Sequence, residues 1–146
     1  MNGMTYQEII DKYGGFVYYP VGTSMLPLIR EGLDSVKLVA INDNIKKYDV
    51  LLYKRNNHQF VLHRVVKVHH DSYDFMGDNQ WVIEKNIKRS QIIARMEEVY
   101  RQEKTISLTT FNYQIYVRFR VWFRCLRKLK YLIKKRLFKK QDKRTK

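Results

Sequence analysis

The chain predicts a small, mostly β domain with a short helix at its N-terminus and a long basic amphipathic helix at its C-terminus. Three observations carry this reading. Short segments rich in β-branched and aromatic residues recur between residues 16 and 100, with turn-forming residues between them. After Phe111 the hydrophobic spacing lengthens to three or four residues. The charge divides at the same place: residues 111–146 hold 14 Lys and Arg against one acid, Asp142, whereas residues 1–110 hold 15 against 13. Most of the net charge of +15 therefore belongs to a tail, and the part before it is almost neutral.

Taken in order, Thr5 and Glu8 stand at capping-box spacing, and Ile9, Ile10 and Tyr13 supply an apolar face, which predicts a short helix broken by Gly14-Gly15. Residues 16–20 read as a strand leading into the turn Gly22-Thr23-Ser24-Met25-Leu26-Pro27. Further strands are expected over 35–41, 49–53, 59–68, 73–76 and 91–100, separated by reversals such as Asn42-Asp43-Asn44 and Asn56-Asn57. In the tail, Ile115, Phe119, Trp122, Leu126, Leu129, Ile133 and Leu137 fall on one helical stripe, with basic residues over much of the remaining surface. The expected division is a globular domain over 1–105, a basic amphipathic helix over 106–140 and a disordered tail over 141–146.

At 146 residues the chain suits one small domain with a real core. The single Cys125 excludes an intramolecular disulfide framework. No apolar run approaches the roughly 20 residues that cross a bilayer, and no basic segment followed by an apolar core opens the chain. Neither a spanning helix nor a secretory signal is expected. The basic helix has three readings: it packs its stripe on the β core, it meets nucleic acid through charge alone, or it lies on an anionic membrane surface. The apolar and aromatic content exceeds what phosphate binding needs, so membrane association on the cytoplasmic side is expected and nucleic acid is not. Trp122 would then sit at the headgroups, with Arg120, Arg124, Arg127 and Lys128 against lipid phosphate. His69-His70-Asp71 suggests a solvated turn, because adjacent histidines on a strand point to opposite faces; no metal and no cofactor are expected.

Three short motifs carry chemistry. Ser24 stands in a turn with Gly22 before it and Pro27 after it, His63 lies in the strand-like Leu62-His63-Arg64-Val65-Val66, and Gly77-Asp78-Asn79 follows. A serine hydroxyl needs a positioned base, itself held by a third group, and this order supplies Ser, His and acid. Alternation puts Val61, His63 and Val65 on one face, where a neutral imidazole can accept the serine proton and return it to a leaving amine. Lys54 and Lys67 read as exposed strand-end charges and not as bases.

The three motifs, in this order and spacing, resemble signal peptidase I of the archaeal and endoplasmic-reticulum type, within the LexA/signal peptidase superfamily. In that branch histidine stands where bacterial enzymes carry a lysine base. The resemblance covers roughly residues 15–100 and implies a small β peptidase core and an extended substrate added as a β-strand, with small side chains just before the cut. It also implies a peptide or precursor-protein partner, a leader or signal-type peptide, and no cofactor. Two acids fit the third role: Asp78 in the intact Gly-Asp-Asn turn, ranked first, and Glu84, where relatives carry aspartate. Gly22 stands where many relatives have an oxyanion-stabilising serine, so either Thr23 substitutes or the Ser24 N–H works with less help, in a turn completed by Met25. The expected activity is serine endopeptidase. A non-catalytic peptide-binding module and a self-cleaving LexA-like regulator are the alternatives, although the segment before Ser24 is short for a DNA-binding domain.

Overall fold

The structure is a computed structural model that describes residues 4–142, with side chains described as far as residue 133. Helix α1 (Tyr6–Tyr13) forms where the capping box predicts it: the Thr5 side chain accepts from the Glu8 N–H, the Glu8 carboxylate accepts from the Thr5 N–H at 2.7 Å, and Gly14 ends the helix at φ 74°. Among the described residues, eight strands then form one antiparallel sheet. They are β1 (Gly15–Tyr18), β2 (Asp34–Val39), β3 (Val50–Lys54), β4 (Phe60–Val68), β5 (Ser72–Met76), β6 (Glu84–Lys88), β7 (Ile92–Arg101) and β8 (Lys104–Ser107). The order across the sheet is β1-β2-β7-β3-β4-β5-β6, with β8 also on β7. Arg95 pairs with Val39 and Leu51 while Val99 pairs with Val36 and Ile106, so β3 and β8 share one edge of β7.

Side-chain alternation sorts these strands between two apolar clusters. On β3, Val50 and Leu52 enter a large cluster with Met25, Ile29, Leu38, Leu62 and Met96, while Leu51 and Tyr53 enter a second one with Val65, Phe75 and Ile92. The same rule governs β4: Leu62 joins the first cluster and Val65 the second. His63 and Arg64 are therefore both buried, on opposite faces of one strand.

The tail differs from its expectation in two ways. It is two helices, α2 (Phe111–Trp122) and α3 (Arg124–Asp142), broken at Phe123 within a run of β-branched and aromatic residues that disfavours helix. The first of them does not stand apart from the core, because Tyr113 and Val117 are buried in the large cluster. The stripe read from spacing is not the packed face: Ile115, Phe119, Trp122, Leu126, Leu129 and Ile133 are all at least half exposed. Packing uses Tyr113, Tyr116, Val117 and Arg120 instead, at the same helical spacing on another side. The side chain of Leu137 and residues 143–146 lie outside what is described; Gln141 and Asp142 of the expected disordered tail belong to α3.

Candidate active site

Met25, Leu28 and Ile29 are buried apolar anchors immediately after Ser24, and they tie its turn to the large cluster. Met25 thus serves packing, while Gly22 (φ 98°) takes the left-handed backbone that favours glycine. A second clamp comes from Gly77-Asp78-Asn79. The Asn79 N–H donates to the Ser24 carbonyl at 2.8 Å, and the Asn79 amide donates to the Thr23 carbonyl at 3.2 Å. Gly77 permits this approach, because a Cβ there would stand 2.6 Å from the Ser24 oxygen. Arg120 of α2 completes the clamp, its Nη2 donating to the carbonyls of Leu26 (3.1 Å) and Asp78 (2.5 Å).

His63 is reached from the other side by Glu84. Strand pairing aligns Val65 with Phe75 and Phe75 with Glu84, which sets the start of β6 beside the His63 face of β4. The Glu84 Oε1 lies 3.3 Å from His63 Nδ1, and the Tyr53 hydroxyl is 3.3 Å from the same nitrogen. Arg55 closes the group, donating from Nε to Glu84 Oε2 at 2.8 Å and from Nη2 to Oε1. Partial burial pushes the Glu84 carboxyl up, but the His63 and Arg55 donors outweigh it and hold the group well below the usual carboxylate range. Burial, reinforced by the negative Glu84, raises the Tyr53 hydroxyl far above its ordinary value, so it stays protonated and turns its proton toward the Glu84 carboxylate. A fixed carboxylate at Nδ1 favours the tautomer with its proton there, which leaves Nε2 as the acceptor.

This arrangement corrects the ranking of the two acids. Asp78 does not face His63; it accepts from Arg64 Nε and Nη2, both at 2.7 Å, and from the Tyr116 hydroxyl at 3.1 Å. The reason is the pleat. Arg64 follows His63 and points to the opposite face, and Asp78 belongs to the Arg64 side. The guanidinium also donates to the Tyr48 carbonyl (2.9 Å) and the Tyr113 hydroxyl (2.7 Å). Asp78 is the buried anchor of the Ser24 clamp, and Glu84 is the acid at the imidazole.

Ser24 and His63 line one pocket of about 430 Å³, together with Tyr18, Thr23, Arg55 and Leu62, and no lysine among the described residues borders it. No direct hydrogen bond joins the Ser24 hydroxyl to the ring, whose Nδ1 faces Tyr53 and Glu84. No protein acceptor among the described residues takes the Ser24 N–H, and the exposed Thr23 borders the same space. Beside it, β5 pairs with β4 only from Arg64 onward, so residues 60–63 present an unpaired backbone edge. That edge can receive an extended peptide. The tail residues divide. Arg120 and Arg127 bond to backbone carbonyls, Arg127 Nε to that of Gln80 at 3.0 Å, whereas Trp122 and Lys128 are exposed and Arg124 is half-buried. Among the described residues no group of three or more His, Cys, Asp or Glu is placed to hold a metal ion, and no helix is long and apolar enough to cross a membrane.

Tyr53 and Arg55 are not legible as site residues in the sequence, and Arg120 and Arg127 are legible there only as lipid-facing charges. Tyr53 alone carried a signal, being a polar-tipped aromatic on the expected 49–53 strand. No protein-family model, curated protein or solved structure matches this chain.

Proposed function

We propose that this chain is a serine endopeptidase of the signal peptidase type, built on a signal-peptidase-like β core, which cuts a leader or signal-type peptide. The observation that carries the reading is the shared pocket of Ser24 and His63, with Glu84 at the far nitrogen of the imidazole. His63 Nε2 takes the Ser24 proton as Oγ attacks the scissile carbonyl carbon. The oxyanion is met by the Ser24 N–H with Thr23 beside it. Collapse breaks the C–N bond while the imidazolium protonates the leaving amine, and water, activated by the same ring, hydrolyses the acyl-enzyme. Glu84 stays ionised and balances the imidazolium; Arg55 and Tyr53 hold Glu84 in place. The substrate lies extended along the open edge of β4. Purified full chain incubated with a randomised peptide mixture should generate new N-termini, read by mass spectrometry, with small residues before the cuts. Intact peptides throughout would favour a non-catalytic peptide-binding module, and cleavage of the chain itself alone would favour a self-cleaving regulator.

Peripheral membrane association belongs to the same proposal. Its support is the exposed row of Phe119, Trp122, Leu126 and Leu129, flanked by Arg118, Lys128 and Lys130. In flotation, the chain should bind vesicles containing phosphatidylglycerol and not phosphatidylcholine alone. Trp122→Ser should weaken this about tenfold, the effect of exposing one large side chain. Equal binding by wild type and variant would remove the stripe from the membrane.

A further inference from the structure

A second cavity, of about 940 Å³, adjoins the pocket of Ser24 and shares Arg55 and Gln80 with it. Its walls combine Arg55, Arg120, Arg127 and Lys130 with the rings of Trp81 and Tyr131, whose centroids are 5.6 Å apart. Four cations thus meet one acid, Glu84, which is already occupied by Arg55 and His63. Among the described residues, no carboxylate pairs with the side chains of Arg120, Arg127 or Lys130. Two guanidinium nitrogens, Arg120 Nε and Arg127 Nη2, are buried without a hydrogen-bond partner among the described residues. Backbone carbonyls satisfy part of each guanidinium but supply no counter-charge, and like charges partly withdrawn from water are costly until an anion offsets them. Desolvation and the neighbouring Arg120 both weaken proton binding by Arg127, as expected of a cation that lacks its counter-ion.

We infer that this cavity receives an acidic side chain of the peptide substrate, on the far side of Arg55 and Gln80 from Ser24. The inference rests on the peptidase reading and adds a substrate class to it: an extended peptide carrying Asp or Glu a short distance from the scissile bond. The carboxylate meets the guanidinium groups of Arg120 and Arg127 where they line the cavity, while Lys130 neutralises it from the exposed rim. Trp81 and Tyr131 cover the methylenes that lead to it. Because α3 supplies Arg127, Lys130 and Tyr131, this helix is part of the substrate site as well as a surface element.

The immobilised 146-residue Ser24→Ala chain should be offered a randomised synthetic peptide pool, and the retained peptides sequenced. Asp or Glu should be enriched at one position by about tenfold, the effect of a charge-assisted hydrogen bond. Arg127→Glu or Lys130→Glu in that background should abolish the enrichment, and Lys130→Glu should favour Lys or Arg there. Lys130 is exposed and carries no buried contact, so its reversal keeps the test valid if Arg127→Glu does not fold. Retained peptides without acidic preference, or a preference that survives both reversals, would overturn the inference. So would loss of phosphatidylglycerol-vesicle binding in Arg127→Glu with peptide selection unchanged, which would make the cavity a headgroup site. The two levels separate: acidic peptides retained but never cut by wild type would leave the cavity assignment and remove the peptidase; peptides cut without acidic preference would do the reverse.

Discussion

Alanine at Ser24 or at His63 should each lower peptide hydrolysis by on the order of 10⁴-fold or more, with the double variant no worse than either single one. Such groups act as a unit: without the imidazole the hydroxyl keeps its proton, and without the hydroxyl the imidazole has nothing to activate. Glu84→Gln should cost about 10² to 10⁴-fold. A glutamine can donate to Nδ1 and so stabilise the wrong tautomer, and it withdraws the charge that balances the imidazolium. Product formation followed by chromatography gives these ratios, and circular dichroism confirms that each variant keeps its fold. Losses that multiply in the double variant would show that Ser24 and His63 do not share one step.

Asp78→Ala should act through stability, lowering it by about 3–5 kcal/mol. Arg64 is fully buried, and burial by itself disfavours its charge; Asp78 outweighs that and raises the guanidinium above its ordinary value. Removal of the carboxylate strands this cation and leaves the Tyr116 hydroxyl without its acceptor. The loss is a large part of what a domain of this size has. Urea denaturation measures it directly. An Asp78→Ala chain with unchanged stability and lost activity would return this residue to the catalytic role from which its geometry removes it. The contrast with Glu84, where activity should fall far more than stability, separates the two acids by experiment.

Much of the scaffold was legible because period and punctuation agree there. Thr5, Glu8 and Gly14 mark α1 by capping chemistry alone, and the alternating β2 and β7 fall close to their expected positions. Strands β6 and β8 were missed for a physical reason: Glu-Lys-Asn-Ile-Lys and Lys-Thr-Ile-Ser are short, polar edge segments that borrow their order from β5 and β7. Ser24 and His63 could be named as candidates from motif and spacing, and the structure sets them on one pocket. The acid could not be ranked, because proximity in sequence to the Gly-Asp-Asn turn does not say which face of β4 a carboxylate serves. The pleat does: Asp78 pairs with Arg64, and His63 is left to Glu84. Arg120 and Arg127 looked like surface charge because helical spacing cannot say that a stripe of aromatics will stay outside while tyrosines and arginines turn inward.

Reactivity at Ser24 bears most directly on the central claim. Labelling the purified chain with a serine-reactive phosphonate probe, followed by peptide mapping, should place the label on Ser24 in wild type. The same label should be strongly reduced in His63→Ala and absent in Ser24→Ala. Equal labelling of wild type and His63→Ala, or a label on another serine, would contradict it.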